Sequence, residues 1–299
     1  MVRNGGFKLV NVVTLEINTI HSDDLPSYTA LSYIWSQKQH QNTDLFESIT
    51  DLQSQEKLRV WLDALPRTLR EAILFARDLE LTFIWIDELC IDQAHSSMKS
   101  YIIKSMGAIY AAADLVIVAA AGDATVDLPG TKFNPRAETK PLVRASTTTG
   151  DSVEFVVTQD SLDQKLKRSI WYDRGWTFQE YAFAQRSIVV FPDEVFFVCG
   201  DDYLFREAYE YTSAELDDRP FSTQLSVKYN HGLWKLRSTL MTTDIWDQAT
   251  YRSILYEFTR RELTFEKDRL DALKGILSVV ISPGDSMTLQ TGLPRRYFG

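Results

Sequence analysis

Glu180 is the side chain in this 299-residue sequence best placed for acid–base chemistry. It stands among Trp171, Trp176, Phe178 and Tyr181, on a stretch whose pattern turns helical after Gly175. A carboxylate among aromatic rings loses hydration, and desolvation raises its pKa toward neutrality. The bland alternative is an ion pair with Arg174 or Arg186. Asp87 is the second carboxylate. It directly follows the apolar run Phe83-Ile84-Trp85-Ile86, where a buried strand would end. There it could hold a ligand hydroxyl, orient Arg174, or cap the segment 88–93. Arg174 offers a planar fork that suits a phosphate, or a buried pair with Asp87 or Asp173. Tyr33 and Trp35 alternate with Ser32 and Ile34, so both lie on one side of a strand. They could stack on a flat ring or pack as core aromatics. At Gly122-Asp123 a bare backbone can approach an anion, or simply turn. Cys90 has only His95 near it in sequence and no assignable acid partner, the pattern of a small buried hydrophobe. Gln93 reads as a hydrogen-bonding residue that fixes its loop.

Strands and helices must bring these residues together. Tyr28 to Ile34, Phe83 to Ile86 and Leu115 to Ala121 read as strands, the last apolar on both faces, as a buried parallel strand is. Leu65-Pro66 opens a helix in which Leu69, Ala72, Ile73, Ala76 and Leu79 share a face. Ile102, Ile103, Met106, Ile109, Tyr110 and Ala113 mark a second helix, capped by Ser96 or Ser97. A polar stretch, 36–57, reads as a loop, and 122–168 as an insertion with an added strand at Val153 to Val157. Ser187 to Phe191 and Val195 to Cys199 are further strands, turned by Pro192-Asp193. From about Leu204 the pattern becomes helical. Strand-then-helix units favour an α/β fold with a mostly parallel open sheet, whose ligands bind beyond the carboxyl ends of the strands. The expected organisation is a domain over 1–200 and a helical extension over 201–299.

Composition narrows the function. Acidic residues outnumber basic ones, 41 to 32, for a net charge of −9. A net anion is a poor general binder of nucleic acid. Two cysteines and no signal-peptide pattern predict an intracellular, cytoplasmic protein. No apolar run is long enough for a membrane span. Four scattered histidines, without HxH, HExxH or CxxC, predict no metal site. Neither GxGxxG after a strand nor GKS/T is present, so neither a standard dinucleotide fold nor a P-loop is indicated. The ending, GLPRRYFG, reads as a truncation or a frayed tail.

Five segments, in order, resemble the heterokaryon-incompatibility (HET) domain of filamentous fungi: YTALSYIWS (28–36), LPRTLREAI (65–73), WIDELCIDQ (85–93), MGAIYAAADLVIVAAAG (106–122) and RGWTFQEYAFAQRSIVVF (174–191). EFTRRELTFEKDRLDALKGIL (257–277) resembles the helical extension that often follows. The HET domain is in turn similar to Toll/interleukin-receptor (TIR) domains, whose fold is flavodoxin-like. Trp176 followed by Glu180 resembles the Trp and downstream Glu of the third TIR helix, where the glutamate cleaves the nicotinamide–ribose bond of NAD. The resemblance therefore implies a role in fungal non-self recognition and regulated cell death. It implies NAD as substrate with no added cofactor, Glu180 and Asp87 as catalytic residues, and Tyr33, Trp35, Cys90, Gln93, Gly122, Asp123, Arg174 and Trp176 as the substrate-binding set. Homo-oligomerisation when active and an activating protein partner are also implied. Ser36, where the family has Gly, and His95 and Met98, where it has acidic residues, depart from the pattern. Two other functions fit the same residues: a non-catalytic death-signalling module acting by self-association, or a degenerate nucleotide binder.

Overall fold

The computed structural model describes residues 7–20, 25–36, 62–91, 96–132, 134–135, 142–146, 152–156, 160–199, 203–206 and 248–280. Gln93, His95 and nearly all of the polar stretch 36–57 lie outside them. The strands are β1 (Phe7–Asn11), β2 (Glu16–Ile20), β3 (Thr29–Ser32), β4 (Phe83–Trp85), β5 (Leu115–Ala119), β6 (Leu142–Ser146), β7 (Ser152–Val156), β8 (Arg186–Val190), β9 (Val195–Cys199) and β10 (Tyr203–Arg206). The helices are α1 (Arg67–Asp78), α2 (Asp87–Cys90), α3 (Ser96–Ala112), α4 (Leu162–Lys167), α5 (Ile170–Asp173), α6 (Gly175–Phe183), α7 (Gln248–Thr259) and α8 (Arg269–Val280).

Eight strands form one sheet in the order β10-β9-β8-β5-β3-β4-β1-β2, and β6 pairs with β7 alone. The expectation of a mostly parallel sheet is corrected. Among the described strands only β4-β3, β3-β5 and β5-β8 run parallel; the outer strands are antiparallel on both sides. Helix-length connections allow parallel pairing, whereas Pro192-Asp193 leaves β8 and β9 too little chain for anything but a hairpin. The hairpin β1-β2 was not expected from the sequence. Asn11 makes its turn: its side-chain oxygen accepts from the Val13 and Thr14 amides at 2.9 and 3.0 Å.

The four inner strands stand second, first, third and fourth in chain order, so the order reverses between β3 and β5. Being parallel, they end on one edge, and the reversal opens a crevice there. Ser32 is the last residue of β3, and Asp87 and Gly122-Asp123 follow the ends of β4 and β5. Strand interiors are fully buried, as in Ala30, Leu31, Ile84, Trp85 and Val116 to Val118. Leu69, Ala72, Ile73 and Ala76 bury the expected face of α1, but Leu79 past its end is exposed. α3, α6 and α8 pack on one another. Gly107 of α3 makes room for this, since a Cβ there would stand 2.6 Å from the Phe183 ring of α6. No helix among the described residues is long and apolar enough to cross a membrane.

Candidate active site

Glu180 lies in mid α6, 5% exposed, facing the end of β3. The Ser32 hydroxyl donates to Glu180 Oε2 at 2.5 Å, and Trp171 Nε1 donates to Ser32 Oγ at 2.9 Å. This three-member chain fixes the carboxylate from behind. Burial drives the Glu180 pKa up to about 7; the Ser32 hydrogen bond opposes the rise and the Asp87 charge adds to it. A carboxyl group poised near neutrality can give or take a proton at physiological pH.

Asp87 opens α2 at the end of β4. Trp35 Nε1 donates to its Oδ2 at 2.9 Å, and the Glu88 amide donates to its Oδ1 at 2.7 Å. Burial pushes the Asp87 pKa up, while the Arg174 guanidinium and the Tyr33 and Trp35 hydrogen bonds pull it down. Glu88 is buried beside it and accepts from Tyr33 OH at 2.9 Å. Desolvation, helped by the Asp87 charge, lifts Glu88 to about 8. Burial raises the pKa of all three carboxyl groups, and the Asp87 charge adds to the rise at Glu88 and Glu180.

Of these residues, Tyr33, Trp35, Asp87 and Glu180 line a two-lobed cleft at the strand-end edge. Its smaller lobe, about 150 Å³, has Tyr33, Asp87, Glu180, Ile103, Met106 and Phe265 in its wall. The larger, about 470 Å³, includes Asp123, Asp173 and Glu262. Trp35, Arg174, Trp176 and Thr264 border both. The apolar sides can take a flat ring, the carboxylates can hold hydroxyls, and Arg174 can meet an anion.

The cleft thus gathers Glu180, Asp87, Tyr33, Trp35, Arg174, Trp176 and, in the larger lobe, Asp123. Cys90 borders neither lobe: it is 1% exposed, accepts from the Ile86 amide at 3.5 Å, and burial pushes its thiol up to about 12. Gly122 is also off the cleft wall; its Cα faces Val126, which a Cβ would meet at 2.6 Å. Gln93 lies outside the described residues. Sequence reasoning missed Ser32 and Glu88 as site residues. A buried-strand serine next to SYxW and an acidic pair at 87–88 were the available signals. It also missed Thr264, Phe265 and Asp268, which local sequence does not reveal because their partners are far along the chain.

The family model described as "Heterokaryon incompatibility protein (HET)" matches residues 28–180, more than half of the chain. The chain belongs to the HET family. The HET match begins at the residue before β3 and ends at Glu180, so it contains every cleft residue named above except the C-terminal ones. Over 206 residues the chain is 28% identical to "Heterokaryon incompatibility protein 6, OR allele" of Neurospora crassa (strain ATCC 24698 / 74-OR23-1A / CBS 708.71 / DSM 1257 / FGSC 987). That alignment covers 58% of this chain and 29% of the relative, so the HET chain described here spans under a third of the length of the protein it matches. No solved structure matches it.

Proposed function

We propose that this HET protein acts in fungal non-self recognition and regulated cell death by hydrolysing NAD at the nicotinamide–ribose bond. The observation that carries this is the meeting of Glu180 and Asp87 with Trp35, Arg174 and Trp176 in one cleft at the sheet's reversal point. The order of the four parallel strands supports a TIR-like, flavodoxin-like assignment.

In the reaction, the C1′–N1 bond breaks and both electrons go to the nicotinamide nitrogen. Ionised Glu180 stabilises the oxocarbenium-like ribose and takes a proton from the attacking water. The products are nicotinamide, ADP-ribose and a proton. Asp87, held by Trp35, accepts from a ribose hydroxyl; Arg174 faces the pyrophosphate. The protein works as a homo-oligomer brought together by a protein partner.

Nicotinamide release from NAD tests this, using wild type, Glu180→Gln and Asp87→Asn, each dilute and at high concentration. Turnover by wild type, lost at least about a hundredfold in Glu180→Gln, is expected. A second function, signalling by self-association without turnover, is favoured by the burial of Glu180 and its Ser32 hydrogen bond, which fit a structural acid equally well. Absence of turnover in concentrated wild type would select it.

A further inference from the structure

The HET-matched residues stop at Glu180, yet the cleft is not closed by them. Its remaining wall comes from a short segment between α7 and α8. That segment is tied to the start of α6 by backbone: the Gly175 amide donates to Glu262 O at 2.7 Å, and the Glu262 amide donates to Asp173 O at 2.5 Å. The approach is close: a Cβ on Gly175 would lie 2.6 Å from Leu263 Cδ2, so a side chain there would displace Leu263. Arg261 anchors the tie. It is 2% exposed, its guanidinium lies 4.2 Å from the centre of the Tyr172 ring and 4.8 Å from that of Phe178, and its Nη1 donates to Arg174 O and Thr177 Oγ1 at 3.3 and 3.2 Å. Its Nε also donates to Glu257 O at 3.3 Å. Burying a guanidinium is costly, and two aromatic faces and three acceptors offset part of that cost, Nη2 being left without a hydrogen-bond partner among the described residues.

What the anchored segment presents is chemically pointed. Phe265 is 56% exposed although it borders a cavity whose apolar wall is Ile91, Ile103, Met106 and Trp176 and whose polar wall includes Asp87, Lys99, Arg174, Glu180 and Asp268. A cavity of this size, about 150 Å³, holds a single six-membered ring. Glu180 lines the same lobe, so the ring sits beside the acid. We propose that residues 264–268 form the wall against which the leaving group's aromatic ring rests, with Phe265 touching the ring and Arg261 acting as the positioning residue that holds the wall. The identity of that ring as nicotinamide rests on the NAD function proposed above. The larger lobe, which Phe265 does not border, then receives the ADP-ribose portion.

Product inhibition separates the two lobes. In wild type, Phe265→Ala and Phe265→Tyr, NAD hydrolysis is measured against added nicotinamide and, separately, against added ADP-ribose. Phe265→Ala is expected to weaken inhibition by nicotinamide roughly five- to tenfold and that by ADP-ribose less than about twofold, with Phe265→Tyr restoring the first. Because Phe265 is exposed, its truncation leaves the fold intact, and equal inhibition by nicotinamide in wild type and Phe265→Ala overturns the wall. For the anchor, hydrogen exchange at the Gly175 and Glu262 amides is compared between wild type and Arg261→Lys, together with KM and kcat. Faster exchange and a raised KM with little change in kcat are expected; unchanged exchange, or a loss confined to kcat, overturns the positioning role. Wild type that neither hydrolyses nor binds NAD overturns the proposed function and with it the assignment of Phe265, while the exchange comparison still decides whether Arg261 holds the segment.

Discussion

Replacing Glu180 by Gln should stabilise the protein above neutral pH while it abolishes turnover. The folded-state pKa of Glu180 is raised from 4.5 to about 7. Between those values the native state keeps a proton that the unfolded chain has released. The stability tied to this proton is therefore complete below pH 4.5 and lost as pH rises through 7. At about 1.36 kcal/mol per pKa unit, the loss comes to about 3 kcal/mol. The glutamine side chain of the Glu180→Gln variant never ionises, and its amide oxygen can still accept from Ser32, so the variant escapes the loss. For a chain of this size, about 3 kcal/mol corresponds to roughly 6–12 °C in Tm. Thermal unfolding followed by circular dichroism at about pH 5 and about pH 8.5 reads the difference. The gap in Tm, Glu180→Gln minus wild type, should widen by about three quarters of that amount between the two pH values, the rest of the loss having set in below pH 5. A gap that does not change with pH would refute the claim that a desolvated carboxylate sits at position 180.

Removing the Ser32 hydroxyl in Ser32→Ala takes away the donor that favours ionised Glu180, so the rising acid limb of kcat/KM, expected near pH 7 in wild type, should move to higher pH. The same change leaves buried Trp171 Nε1 without its acceptor, at a cost of about 1–3 kcal/mol by denaturant unfolding. In Gly175→Ala the new methyl meets Leu263, and urea titration should show a loss of about 1–3 kcal/mol together with a raised KM for NAD. Cys90, buried and with its thiol pushed up to about 12, should resist iodoacetamide in the native protein while half-buried Cys199 reacts first; rapid labelling of Cys90 with loss of activity would contradict its placement in the core.

Much of the central fold is legible in the sequence because its strands are short apolar runs and its helices carry regular stripes. β3, β4, β5, β8 and β9 fall within or close to the runs read as strands, and Gly175 marks the start of α6. The antiparallel flanks were harder for two reasons. FKLVN and EINTI are too short for alternation to stand out, and their turn uses an Asn side chain with Leu15 at positive φ instead of a glycine. The tight Pro192-Asp193 turn did carry the information, since so short a link forbids parallel pairing. In the site, residues next to strand ends were found because a topological rule points there. Ser32 was overlooked because alternation assigns it to the face opposite Tyr33, and it is that face which receives Trp171 and Glu180. Phe265 and Asp268 could not be found locally. They reach the cleft through contacts such as that of Arg261 with Arg174, 87 residues apart.

A structure of the Glu180→Gln protein with NAD bound decides whether NAD is cleaved in this cleft. The nicotinamide is expected in the small lobe, with C1′ of its ribose against residue 180 and a ribose hydroxyl on Asp87. NAD held elsewhere on the molecule, with residue 180 contacting only Ser32 and its neighbours in the fold, would contradict this.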